Sequence, residues 1–217
     1  MGNFKIIFNP SEENIKDIQT WSTEKTYLYR SYRNNSLVVA EYNNYTVGFY
    51  CLSEQGGIVV KIETAETHND FRRKGIGRFI FNEVQKKYKN HYAFILNFSS
   101  IESKTYCEKI GFVHSPTDVD IQKEMFKMIK STNKINYENS CNTIEIIDDF
   151  GKNFKWNFEL IADQLINPIF FFGFCKWKMV VKLKDTIIFN DEYRYFDDYN
   201  DITSCIFIKS IPCKYLK

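Results

Sequence analysis

The sequence predicts an α/β (α+β) fold: a mixed, mostly antiparallel sheet flanked by helices, with a β-rich C-terminal extension. Three observations predict it. Short apolar segments separated by Asn-Asn and Gly-Gly turns fill the stretch from Phe4 to Glu66. A basic, glycine-bearing loop then opens a helix, and a nearly continuous apolar run follows, as a buried strand requires. Beyond a polar stretch at 131–140, only strand-like segments remain.

Taken in order, Phe4 to Phe8 alternates as a short strand. Pro10-Ser11-Glu12-Glu13 starts a helix with Ser11 as its cap, and Ile15, Ile18 and Trp21 mark its inner face. Ser36 to Tyr42 and Tyr45 to Leu52 are strands joined through Asn43-Asn44, a pair that tolerates positive φ. Gly56-Gly57 makes the next turn, into a fourth strand over Ile58 to Glu66. A helix from Gly75 to Lys89 places Ile76, Phe79, Ile80, Val84 and Tyr88 on one face, and Tyr92 to Phe98 is the buried strand. Ile101 to Ile110 is helical and ends at Gly111. Phe112-Val113 begins another strand, with Glu124 to Lys130 as its partner. After the linker, Thr143 to Ile147, Trp156 to Ile161, Ile169 to Leu183, Thr186 to Phe196 and Ser204 to Ile211 read as strands, with a hairpin tip at Lys184-Asp185. The domains expected are therefore 1–130, a linker at 131–140 and a β-rich module at 141–217.

Composition bounds the function. In 217 residues, 44% hydrophobic and 17% aromatic, there is material for a packed core and no sign of disorder. The 29 basic and 27 acidic residues nearly cancel, which disfavours a general nucleic-acid or anionic-membrane binder. Cys51, Cys107, Cys141, Cys175, Cys205 and Cys213 form no CxxC pair and no zinc spacing with histidine, so no metal is expected. Residues 1–6 lack a signal-peptide core, Ile6 breaks a myristoylation pattern, and the longest apolar stretch, Pro168 to Cys175, is too short to span a bilayer. A soluble cytoplasmic protein with reduced thiols is expected.

The chemistry-bearing segment is Arg72-Arg73-Lys74-Gly75-Ile76-Gly77. Glycines between a strand and a helix let the backbone approach a ligand closely. The amides of the helix start converge on an anion, and the helix dipole favours negative charge there. Arg72, Arg73, Lys74 and Arg78 add full positive charge, which suits a pyrophosphate or a phosphate. Taken alone, these residues fit equally well a glycine turn with a solvated basic rim. No Gly-Lys-Ser/Thr follows, so it is not a Walker loop, and Ile80 stands where a dinucleotide fingerprint needs glycine.

Position resolves the ambiguity. Arg72, Gly75 and Gly77 match Arg/Gln-x-x-Gly-x-Gly/Ala, the acyl-CoA motif of the GNAT (GCN5-related N-acetyltransferase) superfamily, between its fourth strand and the following helix. Thr67-His68-Asn69-Asp70-Phe71 resembles the family's approach to that motif. Downstream, Tyr106-Cys107-Glu108-Lys109-Ile110-Gly111-Phe112 resembles its Phe-Tyr-Glu-Lys-Leu-Gly-Phe signature, at the expected distance. The resemblance covers residues 4–130. It implies an N-acetyltransferase that uses acetyl-CoA as co-substrate and an amine-bearing acceptor: a small molecule, a peptide or a protein. It further implies that backbone at Ala65, Glu66 and Thr67 pairs with the pantetheine arm, that the amides from Arg73 through Lys74, Gly75, Ile76 and Gly77 to Arg78 hold the pyrophosphate, and that Ser100 takes the place of a cofactor-contacting Asn.

The resemblance also implies a base and an acid for the transfer. Glu63 and Glu66 lie on the fourth strand, on opposite faces because their separation is odd; Glu63, on the face of Ala65 and Thr67, is the preferred base. Each also reads as a solvent-facing strand carboxylate. The family's acidic Tyr falls on Cys107, with Tyr106 one residue early, about 100° away around the helix. Cys107 either donates that proton or is a small buried residue. His68, His91 and His114 read as ordinary polar residues, and the acidic group Asp191-Glu192 with Asp197-Asp198-Tyr199-Asn200-Asp201 as a solvated loop or a lure for a cationic amine. The C-terminal module is expected to shape the acceptor site or to mediate self-association as a homodimer. The loss of the usual Tyr and Asn motivates an alternative: a catalytically weak acyl-CoA-binding module whose β-rich part recognises a protein partner.

Overall fold

A computed structural model describes residues 4–114, 124–129, 141–147, 153–172, 178–196 and 205–216. The expected linker at 131–140, Cys175, Trp177 and the acidic run Asp197 to Asp201 lie outside these residues. Two compact units are present, 1–114 with 123–129, and 115–122 with 130–217.

The first unit contains β1 (Phe4–Phe8), α1 (Glu12–Gln19), α2 (Thr26–Arg33), β2 (Leu37–Tyr42), β3 (Tyr45–Gln55), β4 (Val59–Thr67), α3 (Ile76–Lys87), β5 (Ala93–Asn97), α4 (Ile101–Lys109), β6 (Val113–His114) and β7 (Glu124–Met128). The strands form one sheet in the order β1-β2-β3-β4-β5-β7-β6. Among the described residues of this unit only β4 and β5 pair in parallel, and the other ladders are antiparallel. Asn43 and Asn44 take φ of 51° and 66°, as the β2–β3 hairpin tip demands.

Each face of the sheet has its own core. Ile15, Ile18 and Leu28 of α1 and α2 pack on Leu37, Val39, Phe49 and Cys51. On the other face Ile76, Ile80, Phe81 and Val84 of α3, with Cys107 and Ile110, cover Val38, Ala40, Tyr50, Leu52, Val60, Ile62, Phe94 and Leu96. Fully burying a side chain of this size contributes about 1.5–3 kcal/mol, so both faces stabilise the sheet.

Helix α2 was not legible in the sequence. Its segment, Thr-Tyr-Leu-Tyr-Arg-Ser-Tyr-Arg, is rich in residues that favour strands. Burial of Leu28 and Ser31 against the sheet overrides that preference, and the Glu24 carboxylate accepts the amide of Tyr27 at 2.8 Å near its start.

The second unit contains β8 (Thr143–Ile147), β9 (Asn153–Asn157), β10 (Leu160–Ile161), β11 (Gln164–Phe172), β12 (Lys178–Leu183), β13 (Thr186–Glu192) and β14 (Cys205–Ser210). They form a three-stranded sheet, β10-β11-β14, and a four-stranded one, β13-β12-β8-β9. The run expected as one strand from Ile169 to Leu183 is thus two strands in different sheets. The β-rich character expected of this part holds, with Ile144, Ile146, Met179, Val181, Ile206 and Ile208 in its core.

Candidate active site

The site is built where β4 leaves β5. Their pairing runs from Val59↔Ala93 to Ile62↔Leu96 and stops there, whereas β4 continues to Thr67 paired only with β3. Among the described residues, Glu63 to Thr67 therefore have no ladder partner on the β5 side, and this backbone edge is able to pair with an extended ligand.

A β-bulge sits at that point. Cys51 of β3 faces Thr64, and its neighbour Leu52 faces Ile62, so Glu63 is the extra residue. The bulge corrects the expectation from simple alternation. The Glu63 side chain joins Ser53 and Lys61: Ser53 Oγ donates to Glu63 Oε1 at 2.7 Å, and Lys61 Nζ lies 3.0 Å from Oε2. Ser53 and Lys61 are directly paired, and Ser53 alternates with Cys51 and Phe49 onto the face covered by α1 and α2. Glu66 lies opposite Phe49 and so belongs to the same face, while Ala65, opposite Tyr50, and Thr67 belong to the α3 face. Glu63 and Glu66 thus share a face, and Glu63 does not share one with Ala65 and Thr67.

Cys51 registers this grouping electrostatically. Burial pushes its thiol up to about 12, a hydrogen bond with Ser31 partly offsets that, and the carboxylates of Glu24, Glu66 and Glu63 push it up further. All three carboxylates thus act on the Cys51 thiol, Glu63 and Glu66 from β4 and Glu24 from the loop before α2. Glu24 carries no sequence signal, because it lies in a loop of no recognisable pattern.

On the opposite face stands the basic loop. Arg73 and Gly75 take φ of 61° and 84°; Gly75 needs its freedom for that φ, and a Cβ on it would meet open space. Arg72 Nε donates to the Thr67 carbonyl at 3.3 Å, which ties the loop to the end of β4. The amides of Ile76, Gly77 and Arg78 open α3, where intrahelical acceptors are lacking. Arg78 also donates to the Lys109 carbonyl at 3.4 Å, joining α3 to the end of α4.

Gly77 has a different reason for lacking a side chain. A Cβ there would lie 2.8 Å from the Tyr106 hydroxyl. Tyr50, a residue with no signal beyond strand alternation, donates its hydroxyl to the Gly77 carbonyl at 3.1 Å and lies 3.0 Å from the Tyr106 oxygen. Burial, first among several causes, raises the pKa of both, keeping them protonated at neutral pH.

Cys107 is elsewhere. It is 5% exposed within the core under α3, and burial, reinforced by Glu108, pushes its thiol up to about 11. Ser100 caps α4: its hydroxyl accepts the Ser103 amide at 3.2 Å. His68 follows β4, with Nδ1 accepting the Asp70 amide at 3.2 Å, and His91 contacts Glu54 at 3.2 Å, far along the sheet from the loop.

The family model described as an acetyltransferase (GNAT) domain matches residues 9–131. The chain belongs to the GNAT acetyltransferase family. This GNAT chain is also similar to solved structures. With Ard1 from Thermoplasma volcanium it shares 19% identity at a TM-score of 0.47, over 59% of this chain and 99% of that one. With the PaiA N-acetyltransferase from Thermoplasma acidophilum, in complex with coenzyme A, the values are 15%, 0.48, 58% and 99%. With a GNAT-family acetyltransferase from Staphylococcus aureus they are 15%, 0.49, 59% and 100%. No curated protein matches the chain. Among the described residues no helix is long and apolar enough to cross a membrane.

Proposed function

We propose that this GNAT chain transfers the acetyl group of acetyl-CoA to a primary amine. The observation that carries the reading is the coincidence of three features on β4: the end of its pairing with β5, the bulge at Glu63, and the basic loop that follows. The open edge at Ala65, Glu66 and Thr67 suits the pantetheine arm. The first amides of α3, with Arg72, Arg73, Lys74 and Arg78 around them, suit the pyrophosphate.

Acetyl-CoA, when bound, supplies a thioester carbonyl. Attack forms a C–N bond and breaks the C–S bond, so the amine must lose a proton and the sulfur must gain one. Glu63 is the proposed base: it is only 15% exposed and is held by Ser53 and Lys61. With Glu24 and Glu66 on the same face, it favours approach of a cationic amine from the α1/α2 side. The anionic co-substrate is favoured at the basic loop. Tyr106, and not Cys107, is the proposed acid: its phenol is hydrogen-bonded beside Gly77, whereas the Cys107 thiol is enclosed in the apolar core.

The test is release of free CoA from acetyl-CoA by the purified chain with a panel of primary amines. Release above the rate without amine supports the reading. Tight acetyl-CoA binding without release would favour a binding module, and absence of binding would remove both.

A further inference from the structure

A cavity of about 340 Å³ lies beyond the end of β4, lined in part by Asp17, Trp21, Tyr42, Tyr45, His68 and Phe71. Four of its rings form a connected series set at steep angles to one another. Trp21 meets His68 at 5.4 Å and 78°, His68 meets Phe71 at 5.9 Å and 72°, and Phe71 meets Tyr42 at 5.5 Å and 58°. All four rings line the cavity.

The walls are held in place. Trp21 Nε1 donates to the Thr46 carbonyl at 3.2 Å, and the Asp70 amide fixes the His68 ring at Nδ1. Asp17 Oδ2 accepts the Thr46 amide at 3.2 Å, which anchors the carboxylate at the cavity. The lining includes Asp17 and neither lysine nor arginine. Phe71 already carries one cation: Lys74 Nζ, from outside the lining, lies 4.9 Å from its ring centre. Aromatic faces attract cations through their quadrupoles, and a carboxylate adds a full negative charge.

We propose that this cavity binds an alkylammonium cation. Ordered rings and one carboxylate favour such a group over a neutral or anionic ligand of the same size; the lining itself holds no lysine or arginine, and Lys74 reaches only the Phe71 ring, which leaves Trp21, Tyr42 and Tyr45 to the ligand. The ammonium belongs to a separate small ligand or to a second, unreacting position of the acceptor; the recognition chemistry is the same. The inference does not depend on acetyl transfer.

The experiment is calorimetric titration of the full chain, without acetyl-CoA, with choline, n-butylammonium and 3,3-dimethyl-1-butanol, the neutral isostere of choline. Saturable binding of the two cations, with the neutral isostere weaker by about tenfold, is expected. Asp17→Asn keeps an oxygen for the Thr46 amide and removes the charge, and it should weaken cation binding about tenfold. Trp21→Leu should do likewise, with circular dichroism and Tm confirming that both variants fold. No saturable binding of either cation, equal binding of the isostere, or unchanged affinity in Asp17→Asn would overturn the proposal. Choline added to the transfer assay separates the sources: competition with the amine places the cation on the acceptor, and unaffected transfer identifies a separate ligand.

Discussion

The hydroxyl of Tyr106 lies 2.8 Å from the point a Cβ on Gly77 would occupy, so the second glycine of the loop makes room for a phenol from α4. Gly77→Ala should displace Tyr106 and cost about 1–3 kcal/mol in stability. In the Tyr106→Phe background the same change should cost less, because the closest atom is gone. A thermal-melt double-mutant cycle measures the coupling; strictly additive effects would contradict the packing relation.

Glu63→Gln should lower kcat/KM for amine acetylation by about a hundredfold or more, as loss of a general base does. Acetyl-CoA affinity should stay unchanged, because Glu63 faces α1 and α2 and not the basic loop. Equal activity of the variant would move the base elsewhere, with Glu66 next on the same face.

Cys107→Ala should leave turnover intact and lower stability by about 1 kcal/mol, the cost of removing a buried atom from a packed core. A large fall in kcat at unchanged CoA affinity would restore the thiol to the chemistry.

Thiol labelling offers a separate check. Iodoacetamide at pH 8, followed by peptide mass spectrometry, should modify the exposed Cys141 and Cys213 and spare the buried Cys51 and Cys107, whose thiols are pushed up to about 12 and about 11. Rapid labelling of Cys107 would contradict its place in the core.

Stability should also fall in base. The folded chain holds the Cys51 proton more tightly than the unfolded one, since its pKa rises from 9.0 to about 12. That contribution is complete below about pH 9 and is lost as pH climbs toward 12. Tm measured from pH 8 to pH 11 should decline, and Cys51→Ala should decline less; parallel curves would contradict the assignment.

The features legible in the sequence were local ones. The glycine loop, the strand before it, the helix after it and the Glu-Lys-Ile-Gly-Phe segment each follow from residues adjacent in the chain. Asn43-Asn44 and Lys184-Asp185 announced their turns by residue type alone; Asn43, Asn44 and Lys184 indeed take positive φ. Helix α2 is not legible there because its tyrosines favour extended backbone and packing on β2 and β3 makes it helical. The run from Ile169 to Leu183 reads as one strand because apolar residues continue through it, with Phe174, Cys175 and Trp177 between the two segments.

By itself, then, the sequence determined that this chain carries a GNAT domain and where its basic glycine loop begins. The tertiary structure decided what surrounds that loop: Tyr106 beside Gly77, Cys107 in the core, and Glu63 with Glu66 and Glu24 on the α1/α2 face. The physical reason is the bulge. Alternation predicts a side chain's face only while a ladder is regular, and one extra residue reverses the phase. Whether that residue is extra depends on the partner strand β3, which the local sequence of β4 does not contain.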